Sequence, residues 1–242
     1  MTARLYSDLA LEWYPLLDPR EDHADEGELY ASVLGDDVRT VLELGSGAGN
    51  GASFLTPRYA MTLCDLSPAM LEISRGQNPA AEHVVGDMRS LRLSRVFDAV
   101  LVHDALSYLT TRADLRAALE TAFAHLRPGG TAIFAPDGFR EDFYEFSTLH
   151  EAETEGRALR CIEWFWDPDP GDDTCVADYV LAMRDRGNTR VVHDRHEIGL
   201  YPKQVWLDLI RATGFGVRTI ARCNHGLEGP YTNEVFVCRR PA

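Results

Sequence analysis

Val41-Leu42-Glu43-Leu44-Gly45-Ser46-Gly47-Ala48-Gly49-Asn50 decides the fold. An apolar run carrying one acid enters directly into three glycines, each separated by a single residue. Such a run suits a strand buried on both faces. Glycines at its end let the chain turn sharply and let a ligand lie against bare backbone. The loop alone is not decisive. A dinucleotide fingerprint counted from Gly45 falls on Asn50 at its last position, although the frame Gly47-x-Gly49-x-x-Ala52 satisfies the looser form.

Outward from this stretch, short apolar runs at 40–44, 60–64, 83–85, 99–102 and 131–135 alternate with helical stretches such as 68–75 and 113–126. That alternation implies a doubly wound, Rossmann-like α/β fold with a mostly parallel sheet. Before it, residues 5–17 and 22–34 read as helices, the first with apolar residues at 5, 9, 13, 16 and 17 on one face, the second closed by Gly35. After it, strand-like stretches at 158–166, 176–184 and 190–200 are joined by turns with no helix between them, which predicts an antiparallel meander. A helix after Pro202 and strands at 216–221 and 234–239 complete the chain. The expected organisation is one domain: a helical lid (1–36), a core (37–137), an antiparallel insertion before the last helix (155–200) and a C-terminal completion of the sheet (201–242).

Composition narrows the partners. The 242 residues carry 24 basic and 38 acidic side chains, a formal net charge of −14. Such a chain repels nucleic acid and anionic membrane. A single lysine, Lys203, leaves no phosphate-cradling G-x-x-x-x-G-K motif. The N-terminus mixes Arg4, Asp8 and Glu12 with apolar residues, unlike a signal peptide, and no window is apolar enough to span a bilayer. Five scattered cysteines (Cys64, Cys161, Cys175, Cys223, Cys238) read as reduced thiols, so a cytoplasmic location is expected.

Polar residues recur where the strands end. Asp65 closes the second, where a carboxylate can take ribose hydroxyls or cap the next helix. Gly86-Asp87-Met88 follows the third, His103-Asp104 the fourth, and Leu126-Arg127-Pro128-Gly129-Gly130 introduces the fifth. The series ELGSGAGN, CDLSPAML, GDMRSL, FDAVLVHDALSYL and LRPGG resembles the class I S-adenosylmethionine-dependent methyltransferases, over residues 6–136. The remainder is similar to members acting on sugar amines and other natural products. The resemblance implies S-adenosylmethionine as cofactor. Glu43, Gly45, Ser46, Gly47 and Gly49 would meet its methionine part, and Asp65, Leu66 and Met70 its ribose. Asp87 and Met88 would hold adenine, His103 would lie near the methionine end, and Tyr6 and Tyr14 would belong to a lid.

The expected reaction is methyl transfer to nitrogen or oxygen of a small-molecule acceptor. A hydroxyl acceptor needs a base, and an amine needs only to be uncharged when it attacks. His103 and His196 are the candidate bases. On the third meander strand, alternation puts Val192, Asp194, His196, Ile198 and Leu200 on one face, so Asp194 and His196 are polar breaks in an apolar surface. Asp104, Tyr108, Trp164, Trp166, Tyr179 and Asp194 are candidate acceptor-pocket residues. His193 and His196 point to opposite faces, which argues against a metal, and none is expected. The rival readings are an NAD(P)-dependent oxidoreductase and a silent S-adenosylmethionine-binding protein. The meander either covers the pocket or forms the face of a homodimer.

Overall fold

The computed structural model describes residues 3–222 and 234–242; Cys223 lies outside them. Among the described residues two sheets form. The larger contains β1 (Thr40–Leu44), β2 (Ala60–Asp65), β3 (Glu82–Val85), β4 (Phe97–His103), β5 (Leu126–Ala135), β10 (Gly216–Ala221) and β11 (Glu234–Arg239). Its order is β10-β11-β5-β4-β1-β2-β3. β1 to β5 run parallel, while β11 runs antiparallel to both neighbours.

Alternation along β1 explains the two-sided burial. Leu42 and Leu44 join a core with α5 (Arg112–His125) and α6 (Lys203–Ala212), and Val41 joins one with α2 (Ala24–Leu34) and α3 (Ala52–Leu55). The same parity sends Glu43 and His103 toward α2, and it is there that the polar residues of the site collect.

The second sheet is the insertion, and it is larger than expected. A strand β6 (Phe146–Thr154) precedes β7 (Arg157–Trp166), β8 (Thr174–Asp185) and β9 (Asn188–Gly199), giving an antiparallel sheet ordered β6-β7-β8-β9. The insertion therefore opens at Phe146, not at 155. The N-terminal segment is a 3-10 turn (Arg4–Tyr6) followed by α1 (Ala10–Leu17), where one helix was expected. Its Leu5, Leu9 and Trp13 pack on the inner face of the insertion, against Leu159, Cys161, Leu181 and Ile198. Its Ala10 packs with Ala48 of the glycine loop and with Met70 of α4 (Pro68–Gln77). The segment is thus held between the two sheets. No helix among the described residues is long and apolar enough to cross a membrane.

Candidate functional site

The glycine loop turns as its sequence requires. Gly45, Gly47 and Gly49 have φ of +73°, +53° and +70°, a region favourable only to glycine. Gly45 N–H and Ser46 N–H donate to the Cys64 carbonyl at 2.7 and 2.9 Å, tying the loop to the end of β2. A Cβ on Gly45 would lie 2.3 Å from the Cβ of Ala105 and 3.0 Å from Met88 Cε.

Asp65 accepts from Gly47 N–H and Ser67 N–H, both at 2.8 Å. It does not cap α4: Ser67 does, accepting from Met70 N–H. Burial raises the Asp65 carboxyl above its usual value, against the pull of those N–H groups. Glu43 is only 4% exposed, and burial pushes it up to about 7. Glu43 Oε2 and Ser46 Oγ find no hydrogen-bond partner among the described residues, a costly state for buried polar atoms. At the far edge, Asp87 is gripped by Arg89, whose side chain holds its pKa below the usual carboxylate range. Met88 is partly buried against the core, Met70 is buried, and Leu66 is exposed.

Behind the loop lies a charged cluster. His103 Nε2 sits 2.8 Å from Glu26 and 2.9 Å from Asp104, and Arg222 reaches the same two carboxylates. His23 contacts Asp18 at 2.8 Å. Burial alone would lower the His103 pKa, but the Asp104 and Glu26 carboxylates outweigh it and hold it well above the ordinary value. His103 is therefore ion-paired within the cluster, and Arg222 Nη2 also lies 3.2 Å from its Nε2. Its contribution to stability is complete below the unfolded imidazole's value, and is lost only as pH rises through the higher folded one. His23, Glu26 and His103 bring metal-ligand atoms within 4.8 Å of one another. The Arg222 guanidinium is the cation that serves Glu26 there.

Asp104 has φ +49°, a strained setting for a residue with a side chain. Its carboxyl hydrogen-bonds that of Asp137, which also accepts from Ser107 Oγ at 2.6 Å. Burial and the neighbouring Asp104 raise Asp137 well above the usual range.

The remaining aromatic and meander residues divide by strand parity. The Tyr6 ring lies 5.8 Å from Tyr14, 5.6 Å from Tyr108 and 5.6 Å from His196. Tyr6 and Tyr108 hydroxyls are 2.7 Å apart, and Tyr14 O–H donates to Asp18 at 2.7 Å. Tyr108 O–H meets His196 Nδ1 at 2.8 Å, and His196 Nε2 meets Asp194 at 3.0 Å. Asp194 also accepts from Leu5 N–H at 2.8 Å. Tyr179 joins from β8, its ring 4.6 Å from His196. Thus Tyr6, Tyr14, Tyr108, Tyr179, Asp194 and His196 do come together.

Trp164 and Trp166 do not. The register sets Trp164 opposite Asp178, on the outward face. Trp164 is 45% exposed and donates to Glu145, while Trp166 donates to Asp178 and stacks under Arg195. Their assignment to the pocket is corrected: the neighbouring Glu163, not the tryptophans, shares the inward parity of Tyr179. Sequence reading also missed Asp18, Glu26, Asp137 and Arg222. Asp137, two residues past the end of β5, was findable as a strand-end acid; the others lie in segments whose approach to the sheet leaves no local mark.

Comparison with known proteins follows the same lines. A family model described as a methyltransferase domain matches residues 41–130. The chain is 28% identical over 221 residues to a dTDP-3-amino-3,6-dideoxy-alpha-D-glucopyranose N,N-dimethyltransferase of Streptomyces fradiae, covering 88% of this chain and 86% of the relative. It is 30% identical over 184 residues to a dTDP-3-amino-3,4,6-trideoxy-alpha-D-glucopyranose N,N-dimethyltransferase of Streptomyces venezuelae, covering 62% of this chain and 78% of that one. In fold it matches the crystal structure of Streptomyces venezuelae DesVI with a TM-score of 0.80, at 24% identity over 95% of both chains.

Proposed function

Because the chain belongs to the class I S-adenosylmethionine-dependent methyltransferases, moving a methyl group to nitrogen or oxygen of a small molecule, we propose that the accepting atom is the amine nitrogen of a sugar carried on a nucleoside diphosphate. That membership sets aside the oxidoreductase and silent-binder rivals. The observation that carries the proposal is the gathering of Asp18, Glu26, Asp104 and Asp137 between the glycine loop and the N-terminal segment, where Arg222, His103 and His23 are the cationic partners set against them among the described residues. So many carboxylates suit a site that receives an ammonium. The two amino-sugar dimethyltransferases named above point the same way.

S-adenosylmethionine supplies a methyl already activated on a sulfonium. The protein's work is to place the acceptor in line and exclude water. The unpartnered Glu43 oxygen and Ser46 hydroxyl, with the open backbone of Gly45–Gly49, fit the polar methionine part. Asp65, fixed by two backbone N–H groups, takes the ribose with Leu66 and Met70 beside it. Asp87 and Met88 meet the adenine, Arg89 holding the carboxylate in place. Tyr6 and Tyr14 close over the loop, and His103 orders Glu26 and Asp104 without exchanging a proton.

Donor labelled with ¹³C at the methyl, offered with a dTDP-linked amino sugar and with its hydroxyl counterpart, tests this. The expected product is an N-methyl sugar, with no transfer to the hydroxyl compound. Transfer to the hydroxyl compound alone overturns the proposal. For the alternative in which the insertion forms a homodimer face, its outward side offers Leu149, Ile162 and Val180 in one exposed row across three strands. Such apolar rows favour association. Sedimentation should find a dimer that Ile162→Lys converts to monomer, and a monomeric parent protein rejects that assignment.

A further inference from the structure

Four groups, Tyr6, Tyr108, His196 and Asp194, form one chain of hydrogen bonds whose direction is fixed by chemistry. Asp194 only accepts, so His196 Nε2 carries a hydrogen and donates to it at 3.0 Å. In the neutral ring Nδ1 is then bare, and Tyr108 O–H donates to it at 2.8 Å. The Tyr108 proton being spent on His196, Tyr6 O–H donates to Tyr108 at 2.7 Å. The Tyr108 oxygen retains one further lone pair. Its residue is 38% exposed, whereas His196 is 3% exposed. The short turn that carries Tyr108 begins at Ala105, whose Cβ abuts Gly45. Tyr108 is therefore the open end of the chain, beside the glycine loop, and His196 its covered middle.

We propose that Tyr108 takes the acceptor's ammonium proton and passes its own to His196, with Asp194 orienting and charge-balancing the imidazole. This rests on the amine-acceptor reading above. In the step an N–H bond of the acceptor breaks as an O–H bond forms on Tyr108. The original Tyr108 O–H bond breaks as an N–H bond forms at His196 Nδ1. The freed nitrogen pair then attacks the methyl carbon, and the carbon–sulfur bond breaks with its electrons left on a neutral sulfur. The proton returns through Tyr108 when the site opens. Tyr108 is the catalytic residue; His196 and Asp194 are positioning residues.

The groups facing His196 are few: Tyr6 from the N-terminal segment, Tyr108 beyond β4, Tyr179 from β8 and Asp194 from its own strand. Burial raises the Tyr6 and Tyr179 phenols, so neither ionises near neutral pH. Asp194 is the only carboxylate in direct contact with the imidazole among the described residues.

The test compares the full chain with Tyr108→Phe and His196→Gln. The dependence of kcat/KM on pH should be nearly flat for the parent protein below the acceptor amine's own pKa. In both variants activity should fall about a hundredfold near neutral pH and recover toward the parent value at about pH 9, where the free amine dominates. Loss that is equal at every pH, or no loss, overturns the relay. A second readout needs no acceptor. ¹⁵N-histidine spectra should show His196 protonated on Nε2, with an Nδ1 resonance that Tyr108→Phe displaces; an unmoved resonance overturns the proposal. A parent protein that methylates no amine, with the His196 resonance behaving as expected, rejects the acceptor reading and leaves the hydrogen-bond chain standing.

Discussion

Glu43 shows what a single side chain costs and supplies. Its carboxyl titrates near 4.5 in the unfolded chain and near 7 in the fold. Between those values the folded protein binds more protons than the unfolded one, so stability falls as pH rises. By pH 8 the penalty is on the order of 3 kcal/mol. Glu43→Gln should therefore raise Tm at pH 8 by about 5 °C and change it little near pH 5, while weakening S-adenosylmethionine binding by calorimetry. Glu43 was legible because an acid inside an apolar strand is conspicuous. The task of His103 was only half legible: Asp104 stands beside it in sequence, but Glu26 reaches it from the second helix. No spacing within its own segment encodes that second partner.

Elements were legible where periodicity was strong and both faces were buried. β1 and β11 lie where their buried apolar runs placed them, and the turn after β1 follows its glycines. Gly45→Ala would force a methyl group to within 2.3 Å of Ala105. Loss of S-adenosylmethionine binding, measured by calorimetry, is the expected outcome. β6 was missed because Phe146–Thr154 carries His150, Glu151 and Glu153, a composition that reads as loop. It is an edge strand, paired only with β7, and His150 is satisfied by Glu163 across that pair. The tryptophans of β7 were misplaced for another reason: alternation gives two faces but does not say which is inward. Trp164→Ala should change kcat/KM less than about twofold, whereas Tyr179→Ala, beside His196, should lower it about tenfold or more. Equal effects would reject an outward Trp164 and an inward Tyr179.

At the scale of the molecule, the surplus of acids is not spread evenly over a surface. Glu26, Asp104 and Asp137 gather at one place, Glu26 and Asp104 held there by His103 and Arg222 and Asp137 by Ser107. The two sheets meet that place through the N-terminal segment. Trp13, 2% exposed, fills the inner face of the insertion from that segment. Trp13→Ala should destabilise the protein by about 3–5 kcal/mol. Hydrogen exchange should also quicken across residues 3–17 more than in β1 or β4, and uniform quickening would show that the segment does not move as a unit.

That segment packs on the insertion and on the glycine loop at once, so under the proposed lid role spent donor would leave only as the segment loosens. One molecule of donor carries one methyl, so each transfer would then require one release and re-docking of residues 3–17. The segment would work as an escapement, advancing the enzyme one methyl per stroke. An amine that receives two methyls does so in two strokes, with a free choice between them of keeping or losing the half-finished product. Turnover should then slow with solvent viscosity, and the singly methylated product should build up early in the time course.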